Sequence, residues 1–252
     1  MYNFDNKTVI VTGGATGIGY AIATSFLQSG ANVVIVGRRK EVLDKAILDI
    51  NSENSDVRSK IIALQCDVSI EEQVRMMFKK VIKKFEKLNI LVNCSGTWLI
   101  KPIHEISSME VDEQYYNLYK STVMCTKYAS KNMNVGGAII NIGSFAGLLP
   151  IKESSIYSSL KTAINTFTKS SAQELGNKQI RVNCVIPGVI RTSMTSDYID
   201  ANINKLIKPI VLGKIGKCSD IANSVLFLAS ENASYITGSI LQVTGGKFVT
   251  QI

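Results

Sequence analysis

Histidine is nearly absent from this 252-residue chain, where His104 stands alone. There is also no Cys-x-x-Cys pair, so a zinc centre lacks its usual donors and no metal site is expected. Cys66, Cys94, Cys125, Cys184 and Cys218 are odd in number and widely spaced, which argues against a disulfide framework. Three of them (Cys66, Cys94 and Cys184) lie in or beside apolar runs, where cysteine behaves as a small hydrophobe. Only 4 prolines occur, and no Pro/Ser-rich linker divides the chain, so residues 1–252 read as one domain. No run of about 18 apolar residues is present, which excludes a helical membrane span. The opening residues lead directly into an apolar strand without the pattern of a leader, and a cytoplasmic protein is the expectation. Acidic residues are the scarcer charge, 20 against 28 basic, for a net charge of +8. The surplus does not form a nucleic-acid stripe. Lys79, Lys80, Lys83, Lys84 and Lys87 interleave with Val81, Ile82 and Phe85 at helical spacing and read as a solvated helix face.

What is present is an alternation of strand-like and helix-like segments. The predicted strands are Thr8–Thr12, Asn32–Val36, Ile61–Cys66, Ile90–Cys94, Gly137–Ile142, Arg181–Ile186 and Ser239–Val243. Between them lie helical patterns at Gly17–Ser29, Lys40–Asn51, Ile70–Phe85, Met109–Asn132 and Ser154–Leu175, then Asp220–Leu228 with Ser219 as its expected N-cap. The runs VVIV, NILVN and AIINI are apolar without alternation, which indicates strands buried on both faces of a parallel sheet. The expected class is α/β, a Rossmann-type three-layer αβα sandwich around seven parallel strands. Ligands of such sheets bind beyond the carboxyl ends of the strands, where the strand order switches.

Directly after the first strand comes TGGATGIG at 12–19, opening into a helix. Glycines there let backbone approach a pyrophosphate, and the helix start offers free N–H groups and a positive dipole end. The spacing of Gly13, Gly17 and Gly19 differs from the generic GxGxxG. The second strand ends in Gly37-Arg38-Arg39, where an NAD site usually carries a carboxylate for the ribose hydroxyls. Arginines suit a 2′-phosphate, so NADP(H) is the expected cofactor, with NAD(H) left open.

Tyr157 and Lys161 are four residues apart, on one face of a helix. Free tyrosine titrates near 10, and a neighbouring ammonium favours its phenolate. Ser144 follows the fifth strand, at the sheet edge where its hydroxyl can donate to a carbonyl oxygen. A tyrosine so placed suits proton transfer near neutral pH.

With these motifs in this order, the chain resembles the short-chain dehydrogenase/reductase family over essentially its whole length. The matching pieces are TGGATGIG at 12–19, CDV at 66–68, NCSG at 93–96, Ser144, Tyr157 with Lys161, and Pro187-Gly188-Val189-Ile190-Arg191-Thr192. The resemblance implies that Tyr157 is the acid/base, that Ser144 polarises the substrate carbonyl, and that Lys161 assists Tyr157 and holds the nicotinamide ribose. It implies cofactor contacts at Gly13, Thr16, Gly17, Ile18, Gly19, Arg38, Arg39, Asp67, Val68, Asn93, Ser95 and Gly96. It adds Tyr157, Lys161, Pro187, Gly188, Val189 and Thr192, three helices on each sheet face, and a homotetramer or homodimer. The family also carries a catalytic Asn in the helix before the fifth strand. Alignment on Asp112 and Thr122 places Leu118 at that position and Asn117 one residue early, so Asn117 reaches the site only if the helix bulges.

Residues 189–215 are expected to form a lid over the substrate, with Met194, Tyr198, Ile199 and Leu206 facing it and Trp98 adding an apolar wall. A hydrophobic ketone or alcohol fits such a pocket. In overall pattern the chain is nearest to 3-oxoacyl-carrier-protein reductases, followed by hydroxysteroid dehydrogenases, so a carrier-protein- or CoA-linked 3-oxoacyl thioester is the leading substrate. A cofactor-binding regulatory protein that reduces nothing is the rival from another class.

Overall fold

The structure is a computed structural model that describes residues 2–53 and 60–247. Seven strands form one parallel sheet: β1 (Thr8–Thr12), β2 (Asn32–Gly37), β3 (Ile61–Gln65), β4 (Leu88–Asn93), β5 (Met133–Ile142), β6 (Arg181–Pro187) and β7 (Ile240–Val243). Their order is β3-β2-β1-β4-β5-β6-β7, so the chain winds outward in one direction from β1 and in the other from β4. Loops leaving β1 and β4 therefore diverge at the carboxyl edge and leave a crevice between them.

Strand residues alternate between two apolar layers, because successive side chains point to opposite faces. Val9, Val11, Val33 and Ile35 pack on the side of α1 (Gly17–Gln28), α2 (Lys40–Glu53) and α8 (Cys218–Ala229). Ile10, Val34, Leu91 and Ile139 pack on the side of α3 (Glu71–Phe85), α5 (Ser121–Asn132) and α6 (Ser155–Leu175). Burial on both faces is why these strands lack a polar alternation. Two further α-helices are α4 (Ser108–Gln114) and α7 (Ser196–Ile207). No helix among the described residues is long and apolar enough to cross a membrane, and they hold no cluster of metal donors.

Element boundaries agree with the sequence reading to within a residue or two, with four differences. The first is α7, which lies in the expected lid, where the sequence reading has no helix. β5 begins at Met133, ahead of the expected Gly137. The long helix before it is not uniform: α4 and α5 are joined by a π-helical turn over Tyr115–Lys120. Ser219 does not cap α8. The helix starts at Cys218, two residues earlier than expected, and the Asp220 carboxylate accepts the Lys217 backbone N–H at 2.8 Å, so an acidic residue in the first turn serves the terminus.

Candidate active site

A cleft of about 990 Å³ opens along the carboxyl edge of β1, β2, β4, β5 and β6. One end is built from the turn after β1. Gly13 adopts φ +64°, and its N–H donates to the Val36 carbonyl at 2.8 Å. Gly19 lies against that turn so closely that a Cβ there would collide with the Gly13 carbonyl oxygen. The first turn of α1 carries no acidic side chain, and Thr16 makes no side-chain cap. Its N–H groups and positive dipole end thus face the cleft without an internal anion. A cradle that any side chain would fill, at an uncapped helix start, fits the diphosphate of a dinucleotide.

Thr12, which the sequence reading passed over, holds this turn to the neighbouring loop. Its hydroxyl accepts from the N–H groups of Cys94 and Ser95 at 3.0 and 3.1 Å, tying the end of β1 to that of β4. The signal was its place at the head of the glycine motif.

Arg38, Arg39, Asp67 and Val68 line the same end of the cleft. The Asp67 carboxylate accepts from the N–H and hydroxyl of Ser69 at 2.9 and 2.7 Å, which orients the loop after β3. Arg38 donates to Asn117 Oδ1 at 3.4 Å. Asn117, placed in the site only on condition of a bulge, lines the cleft at this end. The helix does bulge, and Asn117 turns toward Arg38 and Glu113, while Leu118 is fully buried and faces Gly96. Both residues line the cleft, Leu118 buried and Asn117 part-exposed beside Arg38.

Asn93 is a correction. It does not line the cleft. Its amide donates to Asn141 at 2.8 Å and Thr126 at 3.2 Å, and Asn141 donates onward to Thr168 at 2.9 Å. This buried chain joins β4, β5, α5 and α6, so Asn93 ties these elements together behind the cleft lining. Position in a motif could not reveal this, because the strand's alternation points Asn93 away from the crevice. Ser95 and Gly96, just beyond it, do line the cleft, as do Pro187, Gly188, Val189 and Thr192.

At the other end Ser144, Tyr157 and Lys161 converge. Ser144 Oγ accepts the Ala146 N–H at 3.1 Å, which leaves its own proton free to donate into the cleft. The turn after Ser144 is clamped to α6, since Thr162 and Asn165 both donate to the Gly147 carbonyl, at 3.0 and 3.3 Å. Lys161 is buried, its Nζ donates to the Ile142 carbonyl at 2.8 Å, and it stands 5.8 Å from the Tyr157 ring centroid. Trp98 packs between Tyr157 (6.4 Å between centroids) and Tyr198 of α7 (5.4 Å, edge-on), and its Nε1–H donates to Ser154 at 3.1 Å. Met194, Leu206 and Leu149 extend this apolar wall. The thiol of Cys94 is pushed up to about 12 by burial, so it stays protonated and supplies no nucleophile.

Comparison with known proteins agrees with this geometry. The family described as enoyl-(acyl carrier protein) reductase matches residues 13–247. A 3alpha-hydroxysteroid dehydrogenase of Mediterraneibacter gnavus is 37% identical over 242 residues, covering 95% of this chain and 96% of the relative. A 3-oxoacyl-[acyl-carrier-protein] reductase of Chlamydia muridarum is 35% identical over 246 residues, 96% of this chain and 97% of the relative. Among solved structures, a glucose/ribitol dehydrogenase from Brucella melitensis superposes with a TM-score of 0.93 at 29% identity, covering 99% of both chains. A short-chain dehydrogenase from Burkholderia cenocepacia in complex with NADP superposes at 0.89, with 28% identity over 97% of this chain and 99% of that one.

Proposed function

The chain belongs to the short-chain dehydrogenase/reductase family and is an oxidoreductase, and from that premise we propose that it interconverts a ketone and a secondary alcohol with NADP(H). The convergence of Ser144, Tyr157 and Lys161 in a cleft whose far end carries Arg38 and Arg39 supports this reading above any other feature. NADPH, when bound, supplies the hydride that adds to the carbonyl carbon. Ser144 Oγ donates to the carbonyl oxygen, where negative charge develops. Tyr157 Oη transfers its proton to that oxygen in the reducing direction and accepts it in the oxidising one. Lys161, held by the Ile142 carbonyl, sets a positive charge beside the phenolate that the transfer leaves. The glycine turn and α1 start hold the diphosphate, Arg38 and Arg39 the 2′-phosphate, and Val189 and Thr192 the nicotinamide side.

The leading substrate is a 3-oxoacyl thioester linked to carrier protein or CoA, the class acted on by the Chlamydia muridarum relative. A hydroxysteroid or other hydrophobic alcohol is the second reading, favoured by the Trp98–Tyr198 wall and by the relative from Mediterraneibacter gnavus. Residues 189–215, which include α7, form the lid. The chain assembles as a dimer or tetramer in the cytoplasm, which light scattering and cell fractionation would test. The function itself is tested by NADPH oxidation with an acetoacetyl thioester and a keto-steroid panel. Turnover of either class supports the reading and selects between the two. NADPH binding without turnover of any ketone overturns it in favour of a regulatory protein.

A further inference from the structure

The reacting end of the cleft carries a charge that the chemistry above does not use. Acidic and basic groups are unevenly spread along the lining: its one carboxylate, Asp67, lies near Arg38 and Arg39, whereas Lys152, Lys161 and Lys247 lie beyond them. Two of these three cations have partners. Lys161 is engaged by the Ile142 carbonyl, and Lys152 stands in water 4.0 Å from Glu153. Lys247 has no carboxylate within ion-pair distance among the described residues. Its Nζ rests 4.4 Å from the centroid of Phe145, the residue after Ser144. The side chain is half-buried, and desolvation pulls its pKa down from the ordinary lysine value.

Its position is built by the backbone. After β7 the chain passes through Gly245 and Gly246 at φ +66° and +78°, a conformation that L side chains rarely adopt. A Cβ at Gly246 would lie 2.9 Å from Val211 Cβ, and the Gly245 carbonyl accepts the Leu212 N–H at 3.0 Å. The end of the sheet is thereby pinned against the loop after α7, and Lys247 is delivered into the cleft beside the turn that bears Ser144. A half-buried ammonium without a counter-ion among the described residues is unfavourable, and an anion brought by a ligand relieves that cost. The aromatic face of Phe145 supports the cation and does not neutralise it.

We propose that Lys247 is a specificity-determining residue that holds an anionic group, carboxylate or phosphate, on an otherwise apolar ketone or alcohol substrate. This rests on the proposed oxidoreductase function and narrows its substrate to amphipathic anions. An apolar body would lie along Trp98 and Tyr198 with its charge at Lys247. Such complementarity acts on binding more than on the chemical step.

The test compares wild type, Lys247→Met and Lys247→Arg on two matched pairs at saturating NADPH. The first pair is a keto-steroid bearing a side-chain carboxylate and its methyl ester. The second is acetoacetyl-CoA and the phosphate-free acetoacetyl thioester of N-acetylcysteamine. The expected result is that Lys247→Met lowers kcat/KM for the anionic member of one pair at least ten-fold more than for its neutral partner. The loss is carried by KM, and Lys247→Arg restores most of it. The pair that responds identifies the anion as carboxylate or phosphate. Equal losses within both pairs, or no loss, overturn the role of Lys247 while leaving the oxidoreductase reading intact. Wild-type protein that binds NADPH and turns over no member of either pair overturns the oxidoreductase reading, and this proposal with it.

Discussion

Lys161 donates to the carbonyl of Ile142 at 2.8 Å, a bond from the catalytic helix to the last residue of β5. Ile142 is two residues before Ser144, so one hydrogen bond registers α6 against the turn that bears the second catalytic hydroxyl. Leu118, fully buried, and Asn117, part-exposed, both line the cleft from the π-helical turn. In this chain a backbone carbonyl fixes the ammonium.

Removing only the Tyr157 hydroxyl tests the proton-transfer role most directly. Tyr157→Phe is expected to lower kcat by about 10²- to 10⁴-fold, the usual range for a positioned acid or base. NADPH affinity, read by fluorescence, should stay within a few-fold of wild type. A variant that keeps more than a tenth of its activity would remove Tyr157 from the mechanism.

Gly19→Ala places a methyl group against the Gly13 carbonyl oxygen and forces the turn open. The overpacking should cost about 1–3 kcal/mol in chemical denaturation. Because the same turn cradles the diphosphate, NADPH binding should weaken as well. Unaltered affinity would mean that the cofactor lies elsewhere.

Arg38→Ala is expected to erase NADPH preference. A charge-assisted hydrogen bond contributes about 1.5–3 kcal/mol, which at about 1.4 kcal/mol per tenfold predicts roughly a 10- to 150-fold loss. Affinity for NADH should hardly change. Asn117→Ala, which removes the 3.4 Å contact to Arg38, should give a smaller loss in the same direction. Equal wild-type Kd values for NADH and NADPH by calorimetry would contradict the assignment of both arginines.

Leu118→Asn puts an amide into a fully buried apolar site on the cleft lining. We expect stability to drop by about 2 kcal/mol or more and kcat to show no gain, since Lys161 is already held. A rise in kcat would show that the position limits proton supply.

Alkali should unfold the protein through its thiols. Burial raises Cys66 to about 11 and Cys184 to about 12, and pushes Cys125 up as well. In the unfolded chain a thiol ionises near 8.5. Above that value the unfolded state binds fewer protons than the folded state, so stability falls as pH rises from about 8.5 toward 11–12. Denaturation midpoints measured from pH 8 to 11 should decline, and cysteine-to-alanine variants should flatten the slope. At neutral pH the buried thiols should react slowly with alkylating reagents.

Much of the architecture was legible in the residues themselves. Apolar runs such as VVIV specify strands buried on both faces, and a glycine turn after the first strand leaves few alternatives to a phosphate cradle. The spacing of Tyr157 and Lys161 sets them on one helix face because the helical period is local. Motif position misled at Asn93, where the strand's alternation turns the amide into a chain with Asn141 and Thr168. At Asn117 and Leu118 the helical period left the outcome to a bulge, and the π-helical turn puts both residues on the cleft lining.

By itself the sequence determined what depends on near neighbours along the chain: strands, helix faces, the glycine turn and the Tyr157–Lys161 pair. Tertiary structure decided what depends on residues far apart. It brought Thr12 to Cys94, Arg38 to Asn117 and Lys247 to Phe145, contacts set by the strand order and by which side chains fill the space between layers. Local periodicity carries no record of those distances, because the same segments could be ordered otherwise in a sheet. The Tyr157–Lys161 pair was therefore readable from the chain, and the placement of Lys247 in the same cleft was not.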